Sequence, residues 1–104
     1  MLQLEIKSDA PDLEIVQKLI RAAIDAEIKN LQRSLDKTNK FLKEFETKYQ
    51  ISSDHFLSDW TAEDLKGGDE EYVSWAGEAK IKKRLTTSLQ KLQAIEYVTQ
   101  QLSI

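Results

Sequence analysis

There is no cysteine in these 104 residues, and only one histidine, one proline and three glycines. Without cysteine the chain forms no disulfide, builds no thiolate metal site and carries no cysteine nucleophile. The lone His55 has Asp59 four residues on, a spacing that lets a helix offer two ligands, but two ligands do not complete a site and no metal is assigned. With so few residues that break helices, long helices are favoured. No apolar run approaches the roughly 20 residues of a membrane span, and MLQLEIKSDAPDLEI lacks the basic start and apolar core of a signal peptide, so the expected home is cytoplasmic, with no membrane. A nucleophile elbow and a glycine-rich phosphate loop are also missing. Ser52 and Ser53 read as helix caps and Gly67-Gly68 as helix punctuation, so neither a catalytic residue nor a cofactor is assigned, and an enzyme is not expected.

What is present is helical periodicity. A content of 40% hydrophobic and 32% charged residues suits a folded, helix-rich chain rather than a disordered one. Apolar or near-apolar residues recur at Ile24, Ile28, Leu31, Leu35, Thr38, Leu42, Phe45 and Tyr49 in alternating steps of four and three, the spacing of a coiled-coil seam. A second seam, through Ile81, Leu85, Leu89, Leu92, Ile95, Val98 and Leu102, offers a complement. The pattern predicts an all-α fold: a long antiparallel helical hairpin, coiled-coil-like, with a short N-terminal strand and a short helix at the elbow. Its parts are a strand or arm over 1–8, a long helix over 10–50, an elbow over 51–68 and a second long helix over 69–102, together one elongated domain.

Local signals agree with those boundaries. Leu2, Leu4 and Ile6 alternate with Gln3, Glu5 and Lys7, the period of a half-buried strand, and no second strand is evident to pair with it. If the segment is paired, its partner is therefore expected in another copy or another protein; the alternative is a frayed N-terminal tail whose leucines lie against the helices. Asp9, Pro11, Asp12 and Glu14 form a helix start, and around Val16, Leu19, Ile20 and Ala23 the apolar face of the first helix broadens beyond a strict seam. Gly77 falls inside the last helix, where it is explained either by a close neighbour or by tolerance.

Tyr49, Phe56, Trp60, Tyr72 and Trp75 gather the aromatic content around the elbow, where they read as a structural plug or, alternatively, a ligand or partner pocket. Charge is divided along the chain: residues 51–71 carry seven acids against Lys66 alone, and residues 72–104 carry five bases against Glu78 and Glu96. The bases Lys80, Lys82, Lys83 and Arg84 cluster on the last helix, and Lys37, Lys40 and Lys43 on the first, at similar heights in an antiparallel hairpin.

The elbow reads Tyr49-Gln50-Ile51-Ser52-Ser53-Asp54-His55-Phe56, then Trp60, then Gly68-Asp69-Glu70-Glu71-Tyr72 and Trp75. Over about residues 45–80 this resembles a family of small uncharacterised prokaryotic helical proteins, some of them similar to antitoxin components of toxin-antitoxin pairs. Lys66-Gly67-Gly68 stands here where the family more usually has a glutamate-rich turn. The resemblance implies a protein-binding role and carries over no catalytic residue.

The functional expectation is a non-enzymatic protein–protein interaction module, dimeric, that binds and masks a small partner protein through Asp59, Trp60, Glu63 and Asp64. The alternative is a nucleic-acid-associated accessory protein that binds phosphate through Lys80, Lys82, Lys83 and Arg84. Nucleic acid is the less expected partner, given the net charge of -3 and acids interspersed among the bases.

Overall fold

The computed structural model describes residues 2–9, 11–59 and 70–101. The chain is predominantly helical: strand β1 (Leu2–Ser8), long helix α1 (Leu13–Tyr49), short helix α2 (Ser53–Asp59), helix α3 (Glu70–Gln93) and strand β2 (Ile95–Gln101). These fall into two compact units, Met1–Gln32 with Thr87–Ile104, and Arg33–Thr86.

Helix α1 starts where the Asp12 carbonyl accepts the Ile15 and Val16 N–H groups at 2.9 and 3.1 Å, with Glu14 in the first turn beside the positive end of the helix dipole. Between Arg21 and Glu44 the only residues not exposed are Ile24, Ile28, Leu31, Leu35, Thr38 and Leu42, the seam that the alternating steps of four and three predict. The helix stops at Gln50, which takes φ 53°, while Ile51 N–H returns to the Glu46 carbonyl at 3.3 Å. That pair is a left-handed cap that satisfies a terminal carbonyl.

In the unit Arg33–Thr86, α1 and α3 run antiparallel, because Thr38 Oγ1 donates to Glu78 while Lys48, ten residues later, pairs with Glu71, seven residues earlier. The Thr38–Glu78 bond, 3.1 Å long, also explains a polar residue at a seam position only 5% exposed: its hydroxyl has a partner on the facing helix. The core here is Leu42, Phe56, Trp75 and Ala76, with Phe45, Tyr49, Ile51, Tyr72 and Ala79 packed against it. A Cβ added at Gly77 would meet nothing within 4 Å, so tolerance rather than a close neighbour accounts for this glycine.

In the other unit, β1 and β2 form a parallel two-stranded sheet in which Leu2, Leu4 and Ile6 register with Ile95, Tyr97 and Thr99. The last helix therefore ends at Gln93 and does not run on to 102, and β1 finds its partner within its own chain rather than in another one. Leu102 lies outside the described residues. The segment Ile95-Glu96-Tyr97-Val98-Thr99-Gln100 fits both a helical seam and a two-residue alternation, and its β-branched and aromatic residues suit a strand. Pairing decides between them, since it satisfies the backbone of β1 and β2 together. Val98, given a seam place on the helical reading, is instead 38% exposed on the sheet face shared with Glu5.

On the other face of that sheet Ile6 is buried and Leu4 half-buried. The Arg21 guanidinium sits 4.5 Å from the centre of the Tyr97 ring, a cation–π contact that ties α1 to β2. Leu89 of α3 is buried, and Val16 and Ile20 of α1 are half-buried. The broad apolar face of early α1 is only partly covered: Ala23 is exposed, as are Ile15 and Leu19, the latter by 66%.

Candidate functional site: the aromatic cleft at the elbow

The elbow site is built on a stack of rings. Phe56 of α2 lies against Trp75 of α3 with centroids 4.0 Å apart and planes 2° from parallel, and both side chains are only 1% exposed. Phe45 and Tyr49 of α1 stack on the same indole at 5.4 and 5.6 Å. Their positions follow from the sequence: 45 and 49 are consecutive seam positions four apart, so both face α3, and 72 and 75 lie three apart on the facing helix. Tyr72 closes the group, 5.5 Å from Tyr49 and 5.8 Å from Phe56.

Hydrogen bonds lock α2 onto this stack. Ser52 caps α2, its Oγ accepting from His55 N–H at 3.1 Å and its carbonyl from Phe56 N–H at 2.9 Å. Ser53 is not the cap. Its N–H donates to Glu46 Oε2 at 2.7 Å, and its buried hydroxyl accepts the Trp75 indole N–H at 2.7 Å, so the one polar atom of the buried indole is satisfied.

At the rim, the Glu71 carboxylate accepts from both Lys48 and Tyr49: Lys48 Nζ lies 2.5 Å from Oε1, and the Tyr49 hydroxyl donates to Oε2. The hydrogen bond from Lys48, followed by that from Tyr49, holds the Glu71 carboxyl below its ordinary pKa. The same carboxylate raises the pKa values of Lys48 and Tyr49 through its hydrogen bonds, and desolvation by the phenol's own surroundings raises that of Tyr49 further.

Beside the stack is an open cleft of about 620 Å³. Its walls come from Tyr49 to Ser52 at the end of α1, His55 and Phe56 of α2, and Tyr72 and Trp75 of α3. Phe56 and Trp75 give a rigid apolar floor, Tyr49, Ile51 and Tyr72 are half-buried, and Gln50, Ser52 and His55 are exposed. An apolar floor with a polar edge suits recognition of an amphipathic group. Among the described residues, no group of three or more His, Cys, Asp and Glu side chains is placed to hold a metal ion, and no helix is long and apolar enough to cross a membrane.

Of the residues the sequence offered for partner binding, Asp59 ends α2, and Trp60, Glu63 and Asp64 lie outside the described residues. The aromatic convergence holds for Tyr49, Phe56, Tyr72 and Trp75, and the structure adds Phe45 to it. Sequence reading missed the Ser53–Trp75 bond, the Glu46 anchor and the left-handed Gln50, for which no local signal exists: each depends on α2 folding back between α1 and α3. The bases Lys80, Lys82, Lys83 and Arg84 are all exposed on α3, as are Lys37, Lys40 and Lys43 on α1. The Thr38–Glu78 bond sets Lys37 and Lys40 at the height of Lys80.

No protein-family model, no curated protein and no solved structure matches this chain.

Proposed function

We propose that this chain is a non-enzymatic protein-interaction module that binds a small partner protein at the elbow, and in its most concrete form an antitoxin-like protein that masks that partner's surface. The observation that carries the reading is the open aromatic cleft, whose floor is fixed before any partner arrives by the Phe56–Trp75 stack and the Ser53 hydrogen bond. A preformed floor lowers the ordering cost of association. The neighbouring sequence supplies sign as well as shape: Asp54 precedes the lining residue His55 and is exposed, Glu70 is exposed two residues before Tyr72, and Asp59 ends α2. The fitting partner presents an apolar or aromatic side chain within a basic patch, with Trp60, Glu63 and Asp64 as further contacts.

The test is comparative capture from the native host, followed by titration of the purified partner. Wild-type chain is expected to retain one small basic protein in stoichiometric amount, and Asp54→Lys with Asp59→Lys, or Ile51→Arg, to lose it at least tenfold in affinity. A partner retained equally by wild type and all three substitutions refutes the elbow as the binding surface. Exposure of Lys80, Lys82, Lys83 and Arg84 supports a second reading, phosphate binding on nucleic acid. Its mark is a steep loss of nucleic-acid affinity with salt that Lys82→Glu with Lys83→Glu abolishes.

A further inference from the structure

The β1–β2 sheet has only two strands among the described residues, so each strand leaves one edge without a strand neighbour. Two strands alone are marginal in water, and an open edge is a template for another strand. The same unit also keeps Leu2, Ile15, Leu19 and Val98 exposed. Apolar surface and an unfilled edge therefore occur together, and the side chains along β1 indicate what fills the edge.

We propose that β1 pairs antiparallel with β1 of a second copy of this chain, in the register that sets Ile6 opposite Ile6, to give a four-stranded sheet in the order β2-β1-β1-β2. The argument is charge complementarity. Glu5 and Lys7 occupy one face of β1, 52% and 54% exposed, with Lys7 Nζ and Glu5 Oε1 3.9 Å apart along the strand. Antiparallel pairing about Ile6 puts Glu5 opposite Lys7 of the second copy and Lys7 opposite Glu5 of the second copy, an alternating square of four charges. Moving the centre to Glu5 sets two carboxylates against each other, and moving it to Lys7 sets two ammonium groups against each other. A one-residue slip puts the Leu4 and Ile6 face against the charged one. Opposite charges directly across strands stabilise and like charges destabilise, so the Ile6 register is selected from both sides.

The other edge fits less well. On β2 the corresponding face carries Glu96 and Val98, with no base to answer Glu96. Pairing β1 with β2 of the next copy is heterologous and propagates into open chains, whereas β1 with β1 is isologous and closes as a dimer. Charged side chains on an edge strand also serve in other proteins to block pairing, and the two roles make opposite forecasts.

The experiment is sedimentation equilibrium on the full chain over a range of concentrations, with circular dichroism confirming the fold of each variant. Glu5 and Lys7 are exposed and their mutual ion pair is weak, so neither substitution should unfold the chain. The wild type should be a dimer. Glu5→Lys and Lys7→Glu should each weaken dimerisation by roughly ten- to thirtyfold, since two attractive cross-strand pairs become repulsive. Both substitutions in one chain should restore wild-type affinity, and the two single variants mixed should form a one-to-one heterodimer. A monomeric wild type, the outcome if these charges block the edge, overturns the proposal. So does a dimer whose affinity neither single substitution changes, which would place the interface elsewhere or leave the edge to a different protein.

Discussion

Replacing Ser53 by Ala should destabilise this chain far more than an ordinary serine at the first residue of a short helix. The reason lies in the division of labour between the two serines: Ser52 caps α2, while the Ser53 hydroxyl accepts the Trp75 indole N–H at 2.7 Å. Ser53 is 8% and Trp75 1% exposed, so removing the hydroxyl leaves a buried donor that water reaches poorly. Such an orphaned group costs about 1 to 3 kcal/mol, whereas a surface serine to alanine change stays within about 0.5 kcal/mol. Trp75→Phe removes the donor and part of the ring packed on Phe56, Phe45 and Tyr49, and adds a packing loss to the same hydrogen bond. The two residues touch, so their effects should not add: the double variant should be less destabilised than the sum of the single ones by about 1 to 2 kcal/mol. Urea denaturation at one fixed chain concentration, followed by far-ultraviolet circular dichroism, measures all four corners of the cycle. The fixed concentration keeps self-association from altering the comparison. A Ser53→Ala change below about 0.5 kcal/mol, or a cycle that closes additively, would refute the claim that this bond fastens α2 to α3.

Other outcomes follow from the same structure. Leu42→Ala, at a position 3% exposed, should cost about 2 to 5 kcal/mol, and Leu35→Ala, half-buried on the same seam, clearly less; equal losses in denaturant midpoint would contradict the burial gradient. Gly77→Ala should stabilise by about 0.5 to 1 kcal/mol, because the position is helical and an added methyl meets nothing within 4 Å; a lower melting temperature would reveal a neighbour there. Stability should also depend on the Lys48–Tyr49–Glu71 cluster at both ends of the pH scale. The lowered Glu71 pKa contributes stability that is present above its unfolded value and lost as pH falls through the folded one. The raised pKa values of Lys48 and Tyr49 contribute stability that is lost as alkaline pH passes through them. Glu71→Gln should therefore flatten both limbs of the denaturation midpoint against pH, and an unchanged profile would show that the cluster is not linked to folding.

The sequence by itself determined the seam of α1, residue by residue from Ile24 to Leu42, because burying one stripe of a helix imposes a period that few substitutions can hide. The aromatic grouping at the elbow was equally legible, since Tyr49, Tyr72 and Trp75 lie at helical spacings on facing helices and Phe56 comes between them. Residues 95–101 were not legible. Ile95, Val98 and Leu102 satisfy a helical period as well as Ile95, Tyr97 and Thr99 satisfy a strand, and the strand preference of the β-branched and aromatic residues is too weak to decide between the two alone. What separated them was β1, more than eighty residues away in the chain, whose backbone groups need the partner that β2 provides. The same holds at the site. Sequence offered two serines as caps, but only the folding of α2 between α1 and α3 gave the cap to Ser52 and turned the hydroxyl of Ser53 to the indole. Periodic burial is written locally and can be read from one segment, whereas hydrogen-bond partners and strand pairing depend on which distant segments meet, and only the tertiary structure decides that.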